Sequence, residues 1–199
     1  MGSVGTNVYL IINEDTMETV VVDPGACPQR FLDHLQEENL NVVGILLTHG
    51  HYDHILGIED LRKQYPVPVF AHEAEEGLLN NPESNLSAMT GRSCVVKDVT
   101  YVKDGQVLKM AGYDFQVLYT PGHTPGGCCY YIASEKVLIS GDTLFCASVG
   151  RTDFPGGSMS DLIRGIKDKL MVLPDEVRVL PGHMGESTIG YEKRHNPYL

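Results

Sequence analysis

At 199 residues, 42% of them hydrophobic, the chain can bury a sizeable core and reads as one domain over 1–199. A net charge of −11 argues against nucleic acid and anionic membranes as partners, and gives an anionic substrate no long-range attraction. No apolar run approaches the roughly 20 residues of a bilayer span, and the N-terminus lacks the basic-then-apolar plan of a secretory signal, so a cytoplasmic location is expected. Met1-Gly2-Ser3-Val4-Gly5-Thr6 fits the short N-myristoylation pattern, but no basic cluster or second lipid signal accompanies it, and a chance match is expected.

In chain order, Asn7–Ile12 and Thr19–Val22 flank the polar Asn13-Glu14-Asp15-Thr16, which is a hairpin signature. Asp23-Pro24-Gly25 stops the second strand; Asp23 is either a turn-former or a hydrogen-bond partner for a nearby ligand residue. From Pro28 to Leu40 the apolar Phe31, Leu32, Leu35 and Leu40 share one helical face. Val42–Leu47 is an uninterrupted apolar run, as expected of a buried strand in a mostly parallel sheet. Ile58–Tyr65 reads as a short helix ended by Pro66. Val67–Ala71 reads as a strand near a sheet edge because of Pro68. His72–Leu79 reads as helix, and Asn80–Ser93 as a polar surface loop able to border an active site. His34 and His72 fit no ligand pattern and read as solvated or core histidines.

The second half is again rich in strands. Val99–Leu108 runs towards a hairpin around Lys109-Met110-Ala111-Gly112; Phe115–Tyr119, Val137–Ser140 and Val177–Leu180 follow as strands. Ser160 is placed as the cap of a helix through Leu170, and Thr188–Arg194 as a terminal helix. The five cysteines form no C-x-x-C pair and are expected to be reduced thiols. Cys128 and Cys129, adjacent in a strand, should point to opposite faces, one buried and one not. Each half has strands followed by helices, so two similar halves facing each other are expected.

The chemistry concentrates where strands end. Thr48-His49-Gly50-His51-Tyr52-Asp53-His54 follows the buried run, and three imidazoles with a carboxylate at its mouth need partners. Imidazole nitrogen and carboxylate oxygen suit divalent zinc, and also iron and manganese. His49 and His51 lie on one side of an extended segment, and Asp53 and His54 fall beyond the bend. Three later strands end in Gly122-His123, Gly141-Asp142 and Gly182-His183, where glycine lets the backbone approach an ion closely. Together these supply His49, His51, Asp53, His54, His123, Asp142 and His183, enough for two divalent ions sharing one carboxylate.

His49-x-His51-x-Asp53-His54 with the later His123, Asp142 and His183 resembles the metallo-β-lactamase superfamily. Gly141-Asp142-Thr143-Leu144-Phe145, Val149–Gly157, Pro181-Gly182-His183, Thr188–Glu192 and the terminal Asn196-Pro197-Tyr198-Leu199 resemble the short bacterial glyoxalase II-like (hydroxyacylglutathione hydrolase-like) proteins. The resemblance implies an α/β fold, a four-layer αββα sandwich of two mixed β-sheets with the site at one edge. It implies His49, His51 and His123 on one metal, Asp53, His54 and His183 on the other, and Asp142 bridging. Where those enzymes usually place a glutathione-binding Lys-x-Tyr pair stand Arg151 and Asp153, so Arg151 is either a clamp for a substrate carboxylate or the ion-pair partner of Asp153. Lys193 and Arg194 are weaker candidates for the same role, and no counterpart of the helical glutathione-binding region of full-length glyoxalase II is expected in these residues.

The expected activity is metal-dependent hydrolysis of a small-molecule thioester such as S-lactoylglutathione. A bridging hydroxide would attack the carbonyl, with Asp53 orienting it and zinc the first choice of metal. The alternative from another class is a persulfide dioxygenase with one iron on two His and an Asp, which shares the fold and the Gly150–Phe154 stretch. A non-catalytic metal-binding domain is the third reading.

Overall fold

β1 (Tyr9–Ile12) and β2 (Glu18–Val22) pair antiparallel, as their flanking turn residues imply. The structure, a computed structural model, describes residues 1–2 and 4–199. The myristoylation pattern includes Ser3, which lies outside the described residues. β2 continues into a parallel set with β3 (Asn41–Leu46), β4 (Val69–His72) and β5 (Val99–Val102), in that spatial order. Helices α1 (Gln29–Glu37), α2 (Tyr52–Ile55), α3 (Ile58–Gln64) and α4 (Glu76–Leu79) occupy the crossovers.

The second sheet is built from β6 (Val107–Met110), β7 (Tyr113–Tyr119), β8 (Cys128–Ile132) and β9 (Val137–Gly141) as an antiparallel meander. A small hairpin, β10 (Leu144–Phe145) and β11 (Ser148–Val149), and helix α5 (Met159–Gly165) with its π-helical continuation Ile166–Leu170 lead to β12 (Arg178–Pro181). β12 lies parallel to β9, and β13 (Ser187–Thr188) closes the edge before α6 (Ile189–His195). Both sheets are therefore mixed.

Side-chain alternation sets the layers. Val21 joins Phe31, Leu32 and Leu35 of α1 in a core under the first helical layer, while Val20 and Val22 join Phe115, Val117 and Tyr130 between the sheets. On the second sheet Ile139 faces the same central core, and Leu138 packs on Leu162, Ile166 and Ile189 of the other helical layer. The result is the expected αββα order. Each fully buried aliphatic or aromatic side chain contributes about 1.5–3 kcal/mol, so the apolar reserve of the fold is spread over all three interfaces between layers.

β4 lies near the edge as expected, one strand in, between β3 and the edge strand β5; Pro68 precedes the first paired residue, and its carbonyl accepts from Ile45 N at 3.0 Å. Three expectations need correction. Cys128 and Cys129 do face opposite sides, but both are buried because this sheet is covered on both faces. The helix through Leu170 is capped by Ser158, whose Oγ accepts from Asp161 N, rather than by Ser160. Val99–Leu108 is broken after Val102, where the chain leaves the first sheet for the second. The Asn80–Ser93 segment is also less polar in effect than its composition, since Asn85, Leu86 and Ser87 are buried.

Candidate metal centre

β7, β9 and β12 run in one direction, so their C-terminal ends share one edge of the second sheet, facing the C-terminal end of β3. Each of the four strand ends delivers candidate ligands. At Gly182 a Cβ would collide with Asp142 Oδ1 and His54 Cε1, so glycine is required there for close approach to the cluster. At Gly122 (φ 133°) the reason differs: a Cβ would meet Ser158 and Leu162 of the α5 start, so this glycine serves helix packing.

All seven residues converge. Single ligand atoms from His49, His51 and His123 lie within 4.8 Å of one another, as do those of Asp53, His54 and His183, and those of His49, His54 and Asp142. Asp142 stands between the groups: Oδ1 is 3.5 Å from His54 Nε2, while Oδ2 is 3.5 Å from His123 Nε2 and 3.6 Å from His183 Nε2. Asp53 Oδ2 lies 3.1 Å from His183 Nε2.

Hydrogen bonds decide which nitrogens are free. Thr48 Oγ1 donates its one proton to Asp23 Oδ2 at 2.6 Å, so it accepts from His49 Nδ1–H at 3.2 Å, leaving the His49 Nε2 lone pair inward. His54 Nδ1–H donates to Asp23 Oδ2 at 3.0 Å, and His123 Nδ1–H to the Arg151 carbonyl at 2.7 Å. Outer hydrogen bonds of this kind orient histidine ligands. Among the described residues, buried polar atoms without a partner include His49 Nε2, His54 Nε2 and Asp142 Oδ1. Unpartnered buried acceptors cost about 1–3 kcal/mol each. Three aimed at one spot, with His51 Nδ1 and His123 Nε2 facing across 2.9 Å, fit divalent cations.

The electrostatics divide the same way. Burial, then neighbouring imidazoles, lowers His49 far below the usual imidazole range, and burial and His123 take His51 down to about 3. Burial also lowers His123. These three are neutral and ready to ligate. At His54 burial is outweighed by Asp23 and Asp142, and its pKa is raised; at His183 the hydrogen bond to Asp53 raises it. Burial disfavours charge on Asp53 and Asp142, but the adjacent histidines outweigh it and lower both.

Several supporting residues surround the cluster, and of these only Asp23 stands out in sequence. Asp23 takes the ligand-holding role left open above while also turning the chain at φ 51°, and it accepts from Thr48 N at 2.8 Å. Thr6 Oγ1 donates to Asp53 Oδ2 at 2.8 Å; Asn7 Nδ2 and Tyr9 Oη donate to the Pro181 carbonyl, fixing the turn that carries His183. Glu75, read only as part of a helix, is fully buried, and its two oxygens accept from Gly50 N at 2.8 Å and Gly126 N at 2.6 Å. It ties the loop bearing His49 and His51 to the loop after His123, with burial pushing its carboxyl up to about 7. Glu75→Ala is expected to cost about 2–6 kcal/mol, from two buried N–H donors at roughly 1–3 each, and to lower metal affinity. Thermal unfolding with metal titration checks this; an unchanged midpoint would remove Glu75 from the account.

Arg151 lines the cleft but spends its guanidinium on Asp153, with Nε and Nη2 each 2.6 Å from a carboxylate oxygen, and stacks 4.1 Å over Phe154. Lys193 and Arg194 both pair with Asp175. His72 is a core residue, stacked on Tyr119 at 4.0 Å, and lies outside the cluster. The cleft over the cluster holds about 420 Å³. A larger groove of about 580 Å³, lined by Ile58, Arg62 and Cys94, contains none of the seven residues.

A four-layer αββα sandwich with a His/Asp cluster at the shared strand ends defines a class of metal-binding protein. This chain belongs to the metallo-beta-lactamase superfamily, whose family model matches residues 1–183. Members are mostly metal-dependent hydrolases. The chain is 34% identical over 192 residues to the hydroxyacylglutathione hydrolase GloC of Haemophilus influenzae, covering 95% of this chain and 91% of that one. Among solved structures it resembles the BLEG-1 B3 metallo-beta-lactamase (TM-score 0.94, 39% identity, 100% and 96% covered). It also resembles TTHA1623 in a di-iron-bound form (0.88, 35%, 100% and 98%) and ETHE1 from Myxococcus xanthus (0.80, 32%, 99% and 80%).

Proposed function

We propose that this metal-binding protein hydrolyses thioesters such as S-lactoylglutathione at a centre of two divalent ions, zinc first, with iron or manganese as alternatives. The observation that carries the reading is Asp142, whose carboxylate faces histidines of both groups, His123 through Oδ2 and His54 and His183 through Oδ1 and Oδ2. The likeness to GloC supports the thioester, and the di-iron form of TTHA1623 supports a paired centre. His49, His51 and His123 would hold one ion, Asp53, His54 and His183 the other, with Asp142 shared.

Bound there, such ions supply a water that ionises near about pH 7 and positive charge for the carbonyl oxygen. The chain's own part is positional. Asp23 and the Arg151 carbonyl set the ring orientations of His54 and His123. Asp53, held by Thr6, would accept a hydrogen from a water bound there and so orient it. The leaving thiol has a pKa near about 8.5, so its thiolate departs without a dedicated acid.

The likeness to ETHE1 is compatible with the dioxygenase alternative, so the test separates the two. The zinc-loaded protein is expected to hydrolyse S-lactoylglutathione under strict anaerobiosis. A dioxygenase needs O₂ and a metal that changes oxidation state, which zinc does not. Oxygen uptake with glutathione persulfide, and no anaerobic hydrolysis, would promote the alternative.

A pH dependence follows from the same groups. His54 and His183 have raised pKa values, so in the metal-free protein they hold their protons to higher pH than the other three histidines, and loading must displace those protons. His49, His51 and His123 are lowered and need release none. As pH falls from about 8 to about 5, protons are expected to displace the ion of the Asp53/His54/His183 group first. Metal content after dialysis at stepped pH measures this; simultaneous loss of both ions would contradict it.

A further inference from the structure

Outside the seven cluster residues, the cleft wall is made chiefly of Val4, Tyr52, Leu86, Phe145, Phe154 and Met184. Val4 and Met184 are half or more exposed, so the wall presents apolar surface to whatever enters. The only Lys or Arg side chain lining the cleft among the described residues is Arg151, and Asp153 takes it in a two-pronged pair while Phe154 carries its face. Lys193 and Arg194, the other basic candidates, are committed to Asp175. The chain as a whole carries −11. A glutathione portion brings two carboxylates and one ammonium, and this wall offers the carboxylates no uncommitted cation. An apolar substituent would instead cover side chains that water now wets.

We infer that the preferred substrate is a thioester whose thiol portion is uncharged and hydrophobic, rather than one of glutathione. This rests on the thioester reading above and names its substrate class. Binding energy from such a wall reaches ground state and transition state alike, so it acts chiefly on KM.

The test uses lactoyl thioesters of glutathione, N-acetylcysteamine and benzyl mercaptan with the metal-loaded full chain, each rate corrected for its reaction with free hydroxide. The benzyl ester is expected to exceed the glutathione ester about tenfold or more in kcat/KM, mainly through KM, with N-acetylcysteamine between, as burial of an aromatic group predicts. Met184→Lys places a cation on the wall and is expected to narrow that ratio about threefold or more, with metal content unchanged. Hydrolysis of all three with the glutathione ester equal or preferred would overturn this inference and leave the thioester reading standing. Hydrolysis of none would overturn both.

Discussion

Asp142→Ala is expected to lower metal content and thioester hydrolysis together, the activity by more than about 100-fold, because loss of a mere supporting partner already costs 10–100-fold. The reason is its position. One carboxylate faces His54 through Oδ1 and His123 and His183 through Oδ2, so its removal unties both ligand groups. Were two ions bound as proposed, Asp142 would be the residue held in common by both ligand groups. The control is His72→Ala, which loses the stack on Tyr119 and so costs stability without touching the cluster. Metal analysis and steady-state rates on both variants decide the matter. Retention of most activity in Asp142→Ala would mean that the ligand assignment is wrong.

The second large effect is expected at Asp23. Its carboxylate accepts from Thr48 N, Thr48 Oγ1 and His54 Nδ1, all buried, and so steadies both His54 and, through Thr48, His49. Asp23→Ala strands three polar groups at roughly 1–3 kcal/mol each, so unfolding should become easier by about 3–9 kcal/mol. It also frees the His54 ring to turn and removes the acceptor that fixes Thr48, and through Thr48 the tautomer of His49. Metal affinity should fall about 10–100-fold even in the fraction that folds. Asp23→Asn separates the two consequences: it keeps an acceptor for one neighbour but presents an NH₂ group to another donor, so part of the stability returns while metal affinity stays low. Chemical denaturation and competitive metal titration report the two quantities independently. Full metal affinity in Asp23→Asn would show that the turn, not the carboxylate, is what matters at this position.

The sequence by itself determined the elements and the chemistry that ends them. Period-two and period-3.6 apolar patterns, stopped by Gly, Pro and Asp, placed β1–β3, β7, β9, β12 and helices α1, α3, α4, α5 and α6 within a few residues, because these signals act over a single turn or strand; the short α2 reads in sequence only as a bend. The convergence of the seven His and Asp residues was legible for a related reason: so many imidazoles and carboxylates at strand ends need a shared partner, and few folds scatter them there. Tertiary structure decided whatever depends on a distant partner. Whether β4 is an edge is set by β5, some 30 residues on, not by Pro68. Whether Cys129 is buried is set by the helices that cover the second sheet's outer face. Thr6, Asn7, Tyr9 and Glu75 look ordinary in sequence and gain their roles only when the two sheets bring them beside Asp53, Pro181, Gly50 and Gly126. Arg151 shows the limit most directly. Sequence left it between substrate clamp and ion pair, and side-chain geometry gave its guanidinium to Asp153 and its carbonyl to His123, because hydrogen bonds are won by proximity and direction, and residue order specifies neither.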